Sequence, residues 1–128
     1  MKETIKKYQN KFSELKLWVL LKNSAQRLGT KTVYSALLLY YSYKRKETPA
    51  WAKRTIIGVL GYLIAPIDMI PDLSPLLGFT DDLGFLSFGL VTIASFINVE
   101  VKENAKTHLG KWIKDYDEAD VAAVDAKF

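Results

Sequence analysis

The sequence predicts an all-α fold of about five helices with a central antiparallel helical hairpin, and three observations carry that prediction. Apolar residues recur at intervals of three and four almost from end to end, no stretch alternates as a half-buried strand does, and no internal repeat is found. At 128 residues the chain is too short for two ordinary cores, so residues 1–128 read as a single helical domain. Composition agrees: 49% apolar and 25% charged residues are the balance of a folded chain, which excludes wholesale disorder and a polytopic transporter.

The first helix follows from Ile5, Tyr8, Phe12, Leu15 and Val19, spaced by three and four with lysines between them. Leu17, Trp18, Leu20 and Leu21 widen its stripe until Gly29 ends it. A second helix, Thr32 to Tyr43, is apolar on most sides and closes on Lys44, Arg45 and Lys46, cations suited to the negative end of a helix dipole. Pro49 opens a third helix near its first turn, which runs through Trp51, Ile56, Val59, Leu60 and Ile64 and is limited by Pro66. Pro71, Pro75 and Gly78 punctuate a loop, and Thr80 with Asp81 and Asp82 has the form of a helix start. The fourth helix then runs from Leu83 to about Ile97, and Asn98 caps a fifth that turns Val101, Ala105, Leu109, Trp112, Ile113 and Tyr116 to one side. Residues 117–128 are acidic and alanine-rich and are expected to fray.

Charge is unevenly placed. Residues 1–54 hold thirteen Lys or Arg against three Glu, whereas residues 55–99 hold no base and only Asp68, Asp72, Asp81 and Asp82. A basic half joined to an almost uncharged middle points to an anionic partner, and the apolar middle favours lipid over nucleic acid. The run 83–99 is uncharged and would extend about 25 Å as a helix, against about 30 Å for a bilayer core. The thirteen uncharged residues between Arg54 and Asp68 would reach about 20 Å. Gly58, Gly61 and Ala65 on the third helix, with Gly84, Ser87, Ala94 and Ser95 on the fourth, would let the two backbones approach closely. The functional reading is a membrane hairpin; the bland one is a bundle whose central pair is its core. If the hairpin inserts, Lys44, Arg45, Lys46, Lys53 and Arg54 contact the membrane surface and the positive-inside rule keeps both termini cytoplasmic.

Several chemistries are excluded or unsupported. With no cysteine there is no disulfide, thiolate metal site, iron-sulfur cluster or cysteine nucleophile. The N-terminus lacks an apolar stretch of signal-peptide length, which argues for synthesis into the cytoplasm. His108 has no serine or acid beside it in sequence to form a triad and reads as a surface or interface histidine. Glycines inside helices make no phosphate loop, and the Tyr40, Tyr41, Tyr43, Lys44, Arg45, Lys46 run has no nucleic-acid reader motif beside it. No small-molecule substrate is indicated. The four aspartates either cap free amides or share a hard divalent cation such as Mg2+ or Ca2+.

The runs PAWAK (49–53) and GYLIAPIDMIPDLSPLLGFTDDLGFL (61–86) resemble the bacterial YkvA-like family, domain of unknown function 1232. Its hallmark, Pro-x-Asp-x-x-Pro-Asp followed by Gly and an Asp-Asp pair, is matched by Pro66, Asp68, Pro71, Asp72, Gly78, Asp81 and Asp82. The likeness covers about residues 45–100, and Ala65 is a mild departure where relatives often carry Ser or another small residue. The resemblance implies a small helical protein, often predicted to be membrane-associated, with no established activity or catalytic residue. The expectation is therefore a non-enzymatic structural or regulatory protein at the cytoplasmic membrane. Its alternatives are a cytoplasmic, soluble helical interaction module whose partner, another protein or its own copy, covers the apolar hairpin, or a divalent-cation binder.

Overall fold

The computed structural model describes residues 13–69 and 84–128, all of whose regular structure is helical. Its helices are α1 (Glu14–Leu28), α2 (Thr30–Lys44), α3 (Ala50–Met69), α4 (Gly84–Thr92), α5 (Val99–Trp112) and α6 (Glu118–Asp125), with a single 3-10 turn at Ala94–Phe96.

Helix α1 starts where Ser13 accepts a hydrogen bond from the Lys16 amide through its side chain (3.3 Å) and from the Leu17 amide through its carbonyl (2.9 Å). Leu17, Leu20, Leu21, Ala25 and Leu28 form its buried stripe. Leu15 and Val19, expected in that stripe, are instead 74% and 49% exposed, because the face centred on Leu17 and Leu21 is the one that meets the bundle. The part of the predicted helix at Ile5, Tyr8 and Phe12 lies outside the described residues. Gly29 links α1 to α2 with φ +87°, a left-handed conformation that a side chain would strain.

Helix α2 is the hub. It packs against α1, α3, α4, α5 and α6, and its residues from Thr32 to Leu39 are buried without interruption, between exposed Lys31 and half-buried Tyr40. An all-round apolar helix ends up inside, as its composition requires. At its end the Thr48 hydroxyl donates to the Ser42 carbonyl (2.7 Å), closing the turn into Pro49, whose own carbonyl accepts from the Lys53 amide (3.0 Å) at the start of α3.

Two boundaries differ from the sequence reading. Helix α3 does not stop at Pro66 but continues to Met69. A proline there removes only one intrahelical donor and its fixed φ is helical, while burial of Val59, Leu60, Leu63 and Ile64 holds the preceding turns. The fourth helix does not reach Ile97: α4 ends at Thr92 after nine residues, about 14 Å, and the chain tightens into the 3-10 turn. Phe96 and Ile97 donate to the carbonyls of Ile93 and Ala94 (2.9 and 3.1 Å), three positions back rather than four. The run expected to form one long helix is therefore two short pieces, and no helix among the described residues is long and apolar enough to cross a membrane. Helices α3 and α4 do pack together, but the segment that would close them into a hairpin lies outside the described residues.

Asn98 caps α5 as expected, accepting from the Val101 amide (2.9 Å), and Val101, Ala105, Leu109 and Ile113 are buried. The tail, expected to fray, instead forms α6. The Asp117 side chain accepts from the Ala119 amide (2.8 Å), Val121 and Val124 are buried, and the Tyr34 hydroxyl donates to Asp125 Oδ1 (2.8 Å). With the Asp117 amide also donating to Thr30 Oγ1 (3.4 Å), two apolar residues three apart and two long-range hydrogen bonds dock these eight residues on α2.

Candidate functional site

The four aspartates expected to cap amides or to share a cation are not brought into view. Asp68 belongs to the last turn of α3, and Asp72, Asp81 and Asp82 lie outside the described residues. Among the described residues no group of three or more His, Asp or Glu side chains could hold a metal ion.

The five expected membrane-contact cations are all described, and the structure sorts them. Lys44 is paired with Glu14 (3.2 Å) and stands 5.9 Å from the Tyr40 ring centroid, so it ties α2 to α1. The hydrogen bond from Lys44 to Glu14 is the main cause that raises the lysine's pKa above its ordinary value. Arg45 is a latch: its Nη1 donates to the Phe96 carbonyl (2.6 Å), and its Nε is 3.7 Å from Glu47. That bond satisfies a carbonyl in the 3-10 turn, where the helix has just given up its regular ladder. Lys46 and Arg54 are exposed and Lys53 is half-buried. On α3, Arg54 is three positions beyond Trp51 and shares its face, whereas Lys53, two positions on, is turned away.

Beside these cations lies an apolar edge that the charge pattern alone does not reveal. Trp51, 47% exposed, meets Phe96 edge to face at 5.7 Å, and Val99, three residues further on, is 69% exposed. The Arg45 latch fixes the backbone of Phe96, and the Thr55 hydroxyl donates to the Trp51 carbonyl (3.0 Å), so both rings stand on anchored backbone. Trp51 was legible as a residue of the third helix; its pairing with Phe96 depends on the break after Thr92 and had no sequence signal.

A second cluster joins α1, α2 and α5. Trp18 packs against Tyr40 (4.9 Å), His108 (5.0 Å) and Trp112 (5.1 Å), and the Tyr41 hydroxyl is hydrogen-bonded to His108 Nδ1. Burial, followed by the nearby Lys111 charge, lowers the His108 pKa. Burial raises the pKa of Tyr40 and of Tyr41. The histidine is thus an interhelical packing and hydrogen-bonding group in an aromatic setting. Helices α3 and α4 approach closely at Gly89, where an added Cβ would lie 3.1 Å from Val59 Cγ2. Gly89 was absent from the expected stripe.

Comparison with known proteins gives one family. Residues 52–88 match the family model described as a protein of unknown function, DUF1232, which covers α3, α4 up to Phe88 and the segment between them. Neither the comparison with curated proteins nor that with solved structures finds a match.

Proposed function

We propose that this chain, whose residues 52–88 match the DUF1232 family model, acts by binding rather than catalysis and docks peripherally on the cytoplasmic face of an anionic membrane. The observation that carries the reading is the edge made by the exposed Trp51 and Val99 with the half-buried Phe96, with Arg54 on the same helix face as Trp51 and Lys46 close by in sequence. An amphipathic indole beside cations suits the headgroup level of a bilayer, where each Lys or Arg contributes about 1 kcal/mol near an anionic surface. The apolar middle supports this rather than insertion, since Val59, Leu60, Leu63, Leu86 and Leu90 are already buried within the bundle. Vesicles of phosphatidylglycerol and phosphatidylcholine test it by sedimentation. The chain should pellet with them at low salt, leave them at high salt and in carbonate, and bind about tenfold more weakly as Trp51→Ala, the loss expected from part of a buried aromatic side chain. Failure to bind, or resistance to carbonate, refutes peripheral docking.

A second reading is favoured by Leu15 and Val19, an exposed pair four apart on α1 that a second copy of the chain could cover. Sedimentation that depends on concentration and is lost in Leu15→Glu would support it. A shared Mg2+ or Ca2+ at Asp68, Asp72, Asp81 and Asp82 is tested by melting the protein with and without millimolar metal: an increase abolished by Asp68→Asn indicates a site, and indifference indicates capping.

A further inference from the structure

The C-terminal end of α2 and the first turns of α5 face one another across an open cleft of about 530 Å3, a volume suited to a small ligand. Its walls differ in charge. Lys44, Arg45 and Lys46 line one side, and Asn98, Glu100 and Asn104 line the other. Glu47 also lines it, 3.7 Å from Arg45, while Lys44 is drawn to Glu14. The cleft is therefore close to neutral in sum, with an exposed cation, Lys46, on one wall and an exposed carboxylate, Glu100, on the other. A simple anion would meet Glu47 and Glu100, and a simple amine would meet three cations. A ligand carrying both signs satisfies both walls.

We propose that this cleft binds a phosphoethanolamine group, with the phosphate against Lys46 and Arg45 and the ammonium against Glu100. Lysine and arginine recognise phosphate by charge-assisted hydrogen bonds, and the ammonium has three donors for Glu100 and the Asn104 side-chain carbonyl. The source follows from the neighbourhood. Arg45 lines the cleft and also holds Phe96, and Val99 sits between the cleft residues Asn98 and Glu100. A headgroup in the cleft would leave its acyl chains beside Trp51, Phe96 and Val99. As to lipid as the source, the inference rests on the membrane reading above; the chemistry is shared with free phosphoethanolamine.

The experiment titrates the whole chain with soluble phosphoethanolamine, glycerol phosphate and ethanolamine, following amide and asparagine side-chain resonances, and repeats the vesicle assay with and without phosphatidylethanolamine. Phosphoethanolamine should bind at least tenfold more tightly than either single-sign probe and shift the Asn98 and Asn104 signals. Lys46→Gln should weaken phosphoethanolamine and glycerol phosphate alike, whereas Glu100→Gln should weaken phosphoethanolamine by about tenfold and leave glycerol phosphate no weaker, a split that a loss of fold would not produce. Both residues are exposed, so both variants should melt as the parent does. Equal binding of the three probes, or none, overturns the inference. If vesicles bind but phosphoethanolamine neither binds nor competes, the cleft inference falls and peripheral docking stands. If phosphoethanolamine binds with the predicted split but no vesicle does, the cleft stands as a site for the free compound and the membrane reading falls.

Discussion

Two glycines in helices offer a test of the packing with an internal control. At Gly89 an added Cβ would stand 3.1 and 3.3 Å from the two Val59 methyl carbons and 3.5 Å from Leu39 Cδ2, whereas at Gly110 its only neighbour would be Tyr116 Cε2 at 3.7 Å. Alanine in place of a helical glycine stabilises by about 0.5 to 1 kcal/mol through the unfolded chain and the helix itself. Gly110→Ala should keep that gain, raising the melting temperature by about 2 to 4 °C for a chain of this size. Gly89→Ala should lose most of it, because Val59 must give by a few tenths of an ångström in a close-packed interior. Gly89→Leu, with three more carbons to place between α3, α4 and α2, should destabilise by about 1 to 3 kcal/mol. Val59→Ala removes the obstructing methyls, so Gly89→Ala on that background should recover its gain, a coupling a double-mutant cycle reads directly. The measurements are urea and thermal unfolding of the single and double variants. A Gly89→Leu protein as stable as its parent, or strictly additive Gly89 and Val59 effects, would refute the close approach of α3 and α4 at this point.

Arg45→Met should cost about 1 to 2 kcal/mol in urea unfolding, somewhat below the usual worth of a charge-assisted hydrogen bond because the side chain is partly exposed, and should increase amide exchange in residues 93–97. Arg45→Lys should not restore the parent, since an ammonium lacks the guanidinium fork that serves Phe96 and Glu47 together. Tyr34→Phe removes the hydroxyl that meets Asp125 and should cost about 1 to 2 kcal/mol, with exchange protection lost first in α6. Burial, then the hydrogen bond to Asp125, pushes the Tyr34 pKa far up, so this contact should persist through alkaline titration until global unfolding. His108 has its pKa lowered, so the unfolded chain takes up a proton more readily than the folded one. Its contribution is complete above the ordinary histidine pKa of about 6.5 and is lost as pH falls through that value toward the folded pKa. Unfolding free energy should therefore drop between pH 7.5 and 5, and His108→Gln should flatten that part of the profile.

What could be read from the sequence was whatever a single helix decides for itself. Ser13 was not singled out, but Asn98 was, because an asparagine before an apolar period has a local reason to cap. Helix α2 could be recognised as apolar on most sides, and such a helix belongs inside. Its role as the hub, with Tyr34 reaching Asp125 across the bundle, required knowing which helices surround it. The same limit explains the tail: Val121 and Val124 are too few to predict a helix alone, and they suffice only because α2 offers them a surface. The break after Thr92 is the most consequential case. Residues 83–99 carry no charge and contain no proline, so period and composition both argue for one continuous helix. The Thr92 hydroxyl donates to the Phe88 carbonyl (2.7 Å), a local bond that loosens little, yet Arg45, 51 positions away from Phe96, supplies the partner that makes a 3-10 turn affordable there. Arg45, read as part of a membrane-facing basic cluster, thus also shapes the turn, and Leu86, Leu90, Ile93 and Ile97 of the apolar run read as membrane hairpin are core. The edge of exposed Trp51 and half-buried Phe96 is a consequence of both. It exists where the helix stops and a distant cation holds the turn, so vesicle binding should weaken more in Arg45→Met than in Lys46→Gln, which removes one charge and leaves the turn intact.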